Sequence, residues 1–398
     1  MRKMFVLLAI LAVSSVLLAQ TDFLPVTTDA KALAMGGCIG TARGAGAILR
    51  NPAGIGWLDM AQAKLSARTH LFGSMGYDED VYEDLGTEDY KCSMGFHPKL
   101  NNIAFATPIP TNAPFGIAGG IAWGPFFDFA GKNTISYTEG ETEYEEKTTY
   151  KGGFHLLMPT VAAIFAGNFA VGASYGFAFM SPGGYKGEYE QKNPDTDGDY
   201  ELKETVTGSM LQIGAQGRFI DRLDVGFSYV PAFDMKLDDR EYELNETDYD
   251  WDDIKYEFPA FMAIGASFDV TPEITIAGEY QNRPWDDLEI ENTENGIENG
   301  TSIRAGIEYR GPVALRAGFF TDKLLYPAEE GEDEPASGMG FTGGVGFMAG
   351  PVGVDVAAFY QSAKWEEDPG TGSDEEFKVS LVGAAVTATY ETDLFGGK

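Results

Sequence analysis

The sequence predicts an all-β protein, a 14-stranded antiparallel transmembrane β-barrel preceded by an N-terminal plug, which we call the hatch. Three observations support this prediction. From residue 63 onward, segments of about ten residues alternate between large apolar and small or polar side chains. Tight turns alternate with long acidic connections, as in barrels whose two ends face different compartments. Small and polar side chains occupy the face expected inside, and large apolar ones the face expected outside.

The segment 169–180 shows the alternation clearly. Phe169, Val171 and Phe177 fall on one face, and Gly172 and Ser174 fall on the other. A soluble β-sandwich would produce the same alternation, so this pattern alone does not decide between the two folds. The sorting of connections by length favours the membrane barrel.

The connections fall into two kinds. The tight ones lie at 167–168, 221–222, 271–272, 311–312 and 350–351. The long ones lie at 77–90, 131–150, 181–203, 237–254, 284–299, 322–338 and 365–375.

The strands are counted from the alternating segments. They are predicted at 63–75, 90–109, 115–129, 151–166, 169–180, 204–219, 223–236, 255–269, 273–283, 300–310, 313–321, 339–349, 352–364 and 376–391. An even number places both ends of the barrel on the side of the short turns. Aromatic residues near strand ends are predicted to form interfacial girdles, at Phe126, Phe127, Tyr256, Trp285, Tyr326 and Trp365.

The N-terminus predicts export. Residues 1–20 combine Arg2 and Lys3 with an apolar run and a small residue, Ala19, before a cleavage site, which is typical of a signal peptide. No later segment approaches 18 uninterrupted apolar residues, so the exported protein is either soluble or a barrel. Residues 21–62 do not alternate and are rich in Gly and Ala. They are predicted to fold back into the lumen as the hatch, with the barrel spanning 63–398.

Composition excludes several classes of function. The chain has 61 Asp and Glu against 28 Lys and Arg, a net charge of −33, which argues against nucleic acid as a partner. Three scattered His and two Cys form no metal-binding motif, so the sequence does not indicate a metal centre or a His-based catalytic site. An oxidising compartment would permit a bond between Cys38 and Cys92, although two buried thiols are the preferred interpretation.

Several motifs resemble the FadL/TodX long-chain fatty-acid transporter family. They are residues 30–37 (AKALAMGG) with 51–54 (NPAG), 226–234 (GFSYVPAFD), 258–260 (FPA) with Gly265, Tyr280 and Trp285, 304–310 (RAGIEYR) and 315–319 (LRAGF). Their order along the chain is a stronger signal than any one of them. The family fold is a 14-stranded barrel with an N-terminal hatch, in agreement with the strand count.

The resemblance implies an outer-membrane channel in a Gram-negative-type bacterium. Such a channel admits hydrophobic molecules such as long-chain fatty acids passively, past a hatch, and releases them sideways into outer-membrane lipid. It implies assembly by the barrel-assembly machinery and no enzymatic activity. The start of the hatch also resembles PorV-like barrels that bind secreted proteins, which is the alternative function. An exported soluble β-protein is a third possibility.

Asn51, Pro52, Ala53 and Gly54 are predicted to form a rigid hatch turn, because Pro fixes φ and Asn and Gly tolerate unusual backbone angles. A hatch element that shifts to open the lumen is one interpretation, and an ordinary turn before the first strand is the other.

Gly124 and Pro125 interrupt the third predicted strand. Pro cannot donate to the ladder and Gly permits a bulge, so strand pairing should fail locally. In the resembled family an inward kink in the third strand opens a lateral hole. The hypothesis is therefore a lateral gate at Gly124 and Pro125, and the alternative is simply the upper end of the strand.

Charged side chains on the lumenal face offer a candidate substrate site. Arg304 and Arg316 lie on adjacent strands, and Glu279 falls opposite Arg304. A cationic site for a fatty carboxylate is one interpretation. A set of cross-strand ion pairs that stiffens the lumen is the preferred one.

A Ca²⁺ site is possible in the loop 193–204, although no cofactor is required. Alternate oxygen ligands at the spacing of a calcium loop are Asn193, Asp195, Asp197, Asp199 and Glu204. Strands rather than helices flank this loop, and acidic loops match the pattern by chance.

Overall fold

The structure, a computed structural model, describes residues 29–38, 40–77, 88–128, 130–139, 141–180, 185–192, 196–244, 247–291, 300–323, 337–367 and 375–394. The predicted signal peptide lies outside these residues. Within the ranges described, no helix is long and apolar enough to cross a membrane.

Fourteen antiparallel strands form a closed barrel, as the alternation predicted. Strands that are briefly interrupted are numbered once. They are β1 (Ala61–Gly76), β2 (Glu88–Met94 and His97–Ile109), β3 (Phe115–Asp128 and Gly131–Glu139), β4 (Thr142–Lys151 and Gly153–Phe165), β5 (Phe169–Met180 and Tyr185–Lys192), β6 (Thr196–Phe219), β7 (Leu223–Val230 and Phe233–Leu244), β8 (Thr247–Trp251, Ile254–Phe258 and Phe261–Asp269), β9 (Ile274–Arg283 and Glu289–Ile290), β10 (Gly300–Tyr309), β11 (Ala314–Lys323), β12 (Ser337–Ala349), β13 (Val352–Glu367) and β14 (Glu375–Thr392).

The barrel closes where β14 pairs with β1, from Ala61 opposite Thr392 to Gly76 opposite Lys378. Because the strand number is even, the start of β1 and the end of β14 lie side by side at the short-turn end. One of the predicted tight turns shows how the chain reverses there. The register of Phe219 with Leu223 leaves residues 220–222 in the connection, and the Arg222 N–H donates to the Phe219 oxygen at 3.2 Å. Ile220 and Asp221 have φ of 45° and 57°, as the central residues of a type I′ turn require.

The predicted long loops at 131–150, 181–203 and 237–254 are largely strand, which corrects the prediction. Gly131–Glu139 pairs with Thr142–Lys151, and Tyr185–Lys192 pairs with both Thr142–Lys151 and β6. These segments are acidic, but Thr and Tyr alternate with the acidic residues, and such residues favour strands. The β-sheet therefore extends well beyond the apolar band at the long-loop end.

The outer face carries an apolar band. Phe177, Ile264, Ile303, Leu315 and Phe341 are each at least half exposed and point away from the lumen. A soluble monomer exposes only small apolar patches, whereas lipid accommodates a continuous apolar belt around a barrel.

The lumen contains both polar and apolar regions. The small and polar residues predicted on the inward face had suggested a lumen that is polar throughout. Two aromatic residues assigned to the girdles are buried inside, Phe126 at 0% and Trp285 at 1% exposed. Phe126 lies two residues after the inward-facing Gly124, so strand alternation turns it into the lumen. Trp285 begins a short 3-10 helix, Trp285–Asp287. Its ring packs on the Phe261 ring with 4.8 Å between the ring centres.

Candidate functional site

The described part of the hatch, residues 29–60, lies inside the short-turn end of the barrel. It contains helix α1 (Ala30–Ala34) and two 3-10 helices, η1 (Ala45–Leu49) and η2 (Pro52–Trp57). All residues of η1 are buried, as are all of η2 except Trp57. Helix α1 contacts β11–β14, η1 contacts β1–β4, and η2 contacts β2–β6. The hatch therefore touches the wall around much of its circumference.

Glycines on the inward face of the strands make this close packing possible. A Cβ atom on Gly172 would lie 2.5 Å from the Pro52 carbonyl carbon, and one on Gly306 would lie 2.6 Å from the Met35 oxygen. A Cβ atom on Gly344 would lie 2.7 Å from the Ala34 methyl group. These distances are too short for any side chain, so the small inward residues fit the hatch backbone and not a wide aqueous channel.

Asn51 joins the hatch to the wall between β6 and β7. Its side-chain Nδ2 donates to the carbonyls of Gly40 at 2.7 Å and Phe227 at 3.1 Å, and more distantly to Ala215 at 3.3 Å. Its Oδ1 accepts from the Ala53 N–H at 3.2 Å, which caps η2. Pro52 follows at the first helical position, where its missing N–H is tolerated. The predicted turn at Asn51, Pro52, Ala53 and Gly54 is thus a buried wall contact, and its movement stays a prediction.

An ionic cluster fixes the start of the hatch. The Asp29 carboxylate pairs with Arg50 and with Lys64 of β1, the latter at 3.0 Å, and all three side chains are at most 9% exposed. Burial alone would raise the pKa of Asp29, but Arg50 and Lys64 outweigh it and hold the pKa well below its usual range. The carboxylate is therefore ionised at any physiological pH.

The three predicted lumenal charges lie along the wall beside the hatch. Glu279 and Arg304 are register partners, as expected from the sequence. Glu279 accepts from the Gly40 N–H, and Arg304 donates to the Gly36 carbonyl at 3.2 Å. Arg316 is paired with Glu308 at 2.8 Å and Asp355 at 2.6 Å. Glu279 and Arg304 thus join the wall to the hatch, whereas the Arg316 pairs join three strands of the wall. A role of the three side chains in substrate binding stays a prediction.

A gap in strand pairing lies between β2 and β3. Their lower segments pair from Ile109 opposite Ile117 to Ile103 opposite Trp123, and pairing resumes at Met94 opposite Asn133. Between these points, no described residue of β2 is a register partner of β3, although the Gly95 N–H donates to the Lys132 oxygen at 2.7 Å. Along the same stretch β2 stays paired with β1, and β3 with β4, so the gap is confined to one seam.

Gly124 and Pro125 lie at the lower edge of this gap. Trp123 is the last residue of the segment Phe115–Asp128 of β3 that pairs with β2, and a bulge follows between Pro125 and Phe127 in the pairing with β4. Gly124 faces the hatch, since a Cβ there would lie 3.0 Å from Leu49 Cδ1. The role of this place as a gate stays a prediction.

An apolar, aromatic region fills the lumen beside the gap. Phe126 contacts Phe258 at 5.6 Å and Phe233 at 5.8 Å between ring centres, and Ile48 and Leu49 of the hatch belong to the same buried cluster. Its other buried members include Phe154, Met158, Met210, Met235, Phe261, Trp285 and Leu288. The region thus runs from the hatch, past the gap, into β4–β9.

The calcium prediction falls partly outside the described residues, which exclude Asn193 and Asp195. Asp197 and Asp199 lie in a paired segment of β6, opposite Glu190 and Glu188. Glu204 accepts from Arg240 at 3.1 Å. A strand rises about 3.3 Å per residue, so Glu204 is well separated from Asp197 along it. Extended backbone does not supply the curved loop that the calcium pattern requires.

Within the described ranges, no group of three His, Cys, Asp or Glu residues is placed to hold a metal ion. Cys38 and Cys92 are free thiols, and Cys92 is buried. Burial, followed by the charge of Glu279, raises the pKa of the Cys38 thiol to about 12, so it is not a reactive thiolate.

Sequence reasoning missed the seam, the aromatic lumen and the role of η1. The seam depends on which strands pair, and local patterns carry no information about it. One signal for the aromatic lumen was present, because two-residue alternation from Gly124 already directs Phe126 inward.

Comparison with solved structures shows the same fold in outer-membrane channels. A Pseudomonas aeruginosa FadL homologue is similar with a TM-score of 0.58 and 15% identity, covering 91% of this chain and 98% of the other. The P. putida toluene transporter TodX gives 0.60 and 13%, covering 92% and 98%. The Ralstonia pickettii toluene transporter TbuX gives 0.57 and 15%, covering 91% and 98%. No family model and no curated protein matches the sequence.

Proposed function

We propose that the protein is an outer-membrane channel through which hydrophobic small molecules enter passively and leave sideways into the lipid. The observation that carries the proposal is the continuity of an apolar lumen with the seam between β2 and β3. A molecule that reaches Phe126 from the long-loop end is blocked ahead by Leu49 of the hatch. The seam beside it offers an exit at a place where the pairing of β2 with β3 is already interrupted.

The lateral route explains why the short-turn end is closed. Water-soluble solutes gain nothing from a lumen lined by Phe, Met and Trp side chains, whereas an apolar molecule keeps its surface away from water along the whole route. The gate at Gly124 and Pro125 belongs to this proposal. No bond of the transported molecule is made or broken, so no catalytic residue is required.

The substrate class is proposed from the lumen and supported by two of the similar structures, which are named as toluene transporters. A third is named as a FadL homologue. The family resemblance of the hatch motifs adds long-chain fatty acids as substrates. Location in the outer membrane, contact with its lipid and assembly by the barrel-assembly machinery follow from the same proposal.

Uptake by cells tests the proposal directly. A host without its own hydrophobe channels would express either this protein or an empty vector, and would be given radiolabelled toluene, oleate or maltose. We expect toluene or oleate uptake to rise severalfold over the vector, with maltose unchanged. Equal uptake of both hydrophobes with and without the protein, once its presence in the outer membrane is shown, would refute the proposal.

Binding of secreted proteins, as in PorV-like barrels, is the second function considered. The solved channel structures do not favour it. It predicts a stable protein partner in a pull-down from the native host, together with unchanged hydrophobe uptake after deletion.

A further inference from the structure

Long stretches of β1, β2 and β3 around the seam lack acidic residues. Residues 60–77 and 94–127 contain no Asp or Glu, in a chain that has 61 of them. The same stretches contribute basic side chains directed inward at neighbouring register positions. Arg68 is opposite Lys99, and His70 is opposite His97. The seam is therefore flanked by positive and neutral groups within a strongly acidic protein.

The four basic residues form one cluster. Arg68 and His70 are 4% and 2% exposed, and Lys99, Arg68 and His97 all lie within electrostatic range of the His70 ring. The Arg68 guanidinium also lies 5.0 Å from the centre of the Phe359 ring. The third His of the chain, His155, is on the opposite side of the seam, where it is the register partner of Pro125.

Two side chains in this region have buried polar atoms without a hydrogen-bond partner among the described residues. Asn102 is 0% exposed, and both its Nδ2 and its Oδ1 lack a partner. His70 Nε2 is buried and also lacks one. Buried polar atoms in native structures are nearly always hydrogen-bonded, because leaving them unpaired costs free energy. Such groups indicate a place where a polar ligand is accommodated.

Asn102 lies between the basic cluster, the seam and the hatch. It is the register partner of Ser66, which lies two residues before Arg68. A Cβ atom on Gly124 would lie 3.6 Å from the Cβ of Asn102. On the same side of Gly124 is Leu49 of the hatch. Leu49 of η1 and Asn102 are therefore both neighbours of Gly124 at the lower edge of the seam.

We propose that Arg68, His70, His97, Lys99 and Asn102 form a binding site for the oxyanion head group of an amphiphile whose apolar chain occupies the seam. This site deepens the proposed function and rests on it, since it selects among hydrophobic molecules those with a carboxylate or phosphate head. Arg68 and Lys99 supply charge-assisted hydrogen bonds, and the imidazole N–H groups and Asn102 supply additional donors. The apolar chain lies along the wall bordered by Trp123 and Phe126.

Equilibrium binding to the full-length protein in detergent tests the site. Dodecanoate and dodecanol have equal chain lengths and differ in the head group, so their affinity ratio isolates the oxyanion. We expect dodecanoate to bind lipid-free protein about tenfold more tightly or better, as charge-assisted hydrogen bonds imply. Arg68→Gln/Lys99→Gln should abolish this preference and leave dodecanol affinity within about twofold.

A negative charge introduced at position 102 provides a second variant. Asn102→Asp is similar in size and adds a negative charge, so it should weaken dodecanoate binding about tenfold and spare dodecanol. Lys203→Gln/Lys236→Gln removes two exposed charges on β6 and β7 and should keep the preference of the wild type. A heat-modifiable shift on a gel would verify that every variant is a folded barrel.

Mass spectrometry of lipid retained by the protein distinguishes the source of the head group. Selective loss of phosphate-headed lipid from Arg68→Gln/Lys99→Gln identifies bilayer lipid as the ligand, whereas dodecanoate preference without such loss identifies a free carboxylate. The inference is overturned if wild-type protein shows neither the preference nor the selective retention. In that case toluene uptake, which needs no oxyanion, still decides the proposed function separately.

Discussion

Leu49 of the hatch packs against Gly124 of β3, where a Cβ atom would lie 3.0 Å from Leu49 Cδ1. Leu49 is 1% exposed and ends η1. This contact joins the segment that closes the short-turn end to the strand that borders the seam. Displacement of η1 therefore changes the packing at the seam.

Substitution of Gly124 by Val should loosen η1. The added methyl groups have no space beside Leu49, and overpacking of this kind costs about 1–3 kcal/mol. Hydrogen exchange of residues 45–50, measured by mass spectrometry, should become faster. Gly278→Val is the matched control, because Gly278 is exposed on the outer face and its Cβ would have only one neighbour, at 3.9 Å. Unchanged exchange in a folded Gly124→Val barrel would show that the contact is unimportant.

Replacement of Asn51 should destabilise the hatch, because its side chain donates hydrogen bonds to buried carbonyl groups. Asn51→Ala leaves buried carbonyls without their donor and should cost about 1–3 kcal/mol in local opening free energy. Asn51→Asp should be worse, since a carboxylate cannot donate and would face the Gly40 and Phe227 oxygens. Exchange of residues 40–56 is the measurement. Equal exchange in Asn51→Asp and wild type would contradict this account.

The Asp29 cluster should make the hatch insensitive to mild acid. The pKa of Asp29 is lowered on folding, so its stabilising contribution is present above the ordinary value of 3.8 and is lost only as the pH falls through the lower folded-state value. Exchange of residues 29–50, corrected for its intrinsic rate, should be the same at pH 4 and pH 7.

Asp29→Asn should loosen the hatch at both pH values, because Arg50 and Lys64 stay buried without their counterion, at a cost of about 3–5 kcal/mol. Lys31→Gln is the control, since the Lys31 side chain is 54% exposed and its ion pair with Glu308 is long, at 3.6 Å. A hatch that loosens between pH 7 and pH 4 in wild type would disprove the prediction.

The Arg316 network should contribute to the stability of the barrel itself. Arg316→Met leaves Asp355 unpaired and leaves Glu308 with its longer contact to Lys31 at 3.6 Å, at 18% and 8% side-chain exposure, and should cost about 3–5 kcal/mol. The temperature at which the folded band disappears on a gel should fall, and Arg316→Met/Glu308→Gln/Asp355→Asn should recover most of the loss. Arg310→Met is the control, because Arg310 is 42% exposed and such pairs contribute about 1 kcal/mol or less. Equal shifts in the two single variants would be evidence against the network.

Strand number and sidedness could be predicted because lipid imposes a local rule on every strand. Phe177 and Ile303 show that rule as outward, exposed positions within otherwise small or polar segments. The length of β3–β8 beyond the apolar band was missed because acidic composition was taken to indicate loop, although Thr and Tyr alternate through the same segments.

The seam could not be predicted because it depends on pairing between whole strands. Gly124 and Pro125 indicated a local failure, but the residues of β2 that lack partners on β3 include 97–100 and 102, which stay paired with β1. The contact between Gly124 and Leu49 likewise joins positions that are far apart in the chain. Such three-dimensional placement has no counterpart in local sequence periodicity.

The central claim is that hydrophobic molecules leave through the seam, and Pro125 tests it most directly. Pro125→Val restores a backbone N–H and a strand-forming residue at the lower edge of the seam. Pro159→Val is the matched control, because Pro159 lies in β4 opposite Ile121, beside a stretch where β2 and β3 are paired. Both barrels should fold. We expect the initial rate of radiolabelled toluene or oleate uptake to fall several-fold in Pro125→Val and to stay at the wild-type value in Pro159→Val. Wild-type uptake by a folded Pro125→Val barrel would contradict lateral release at this seam.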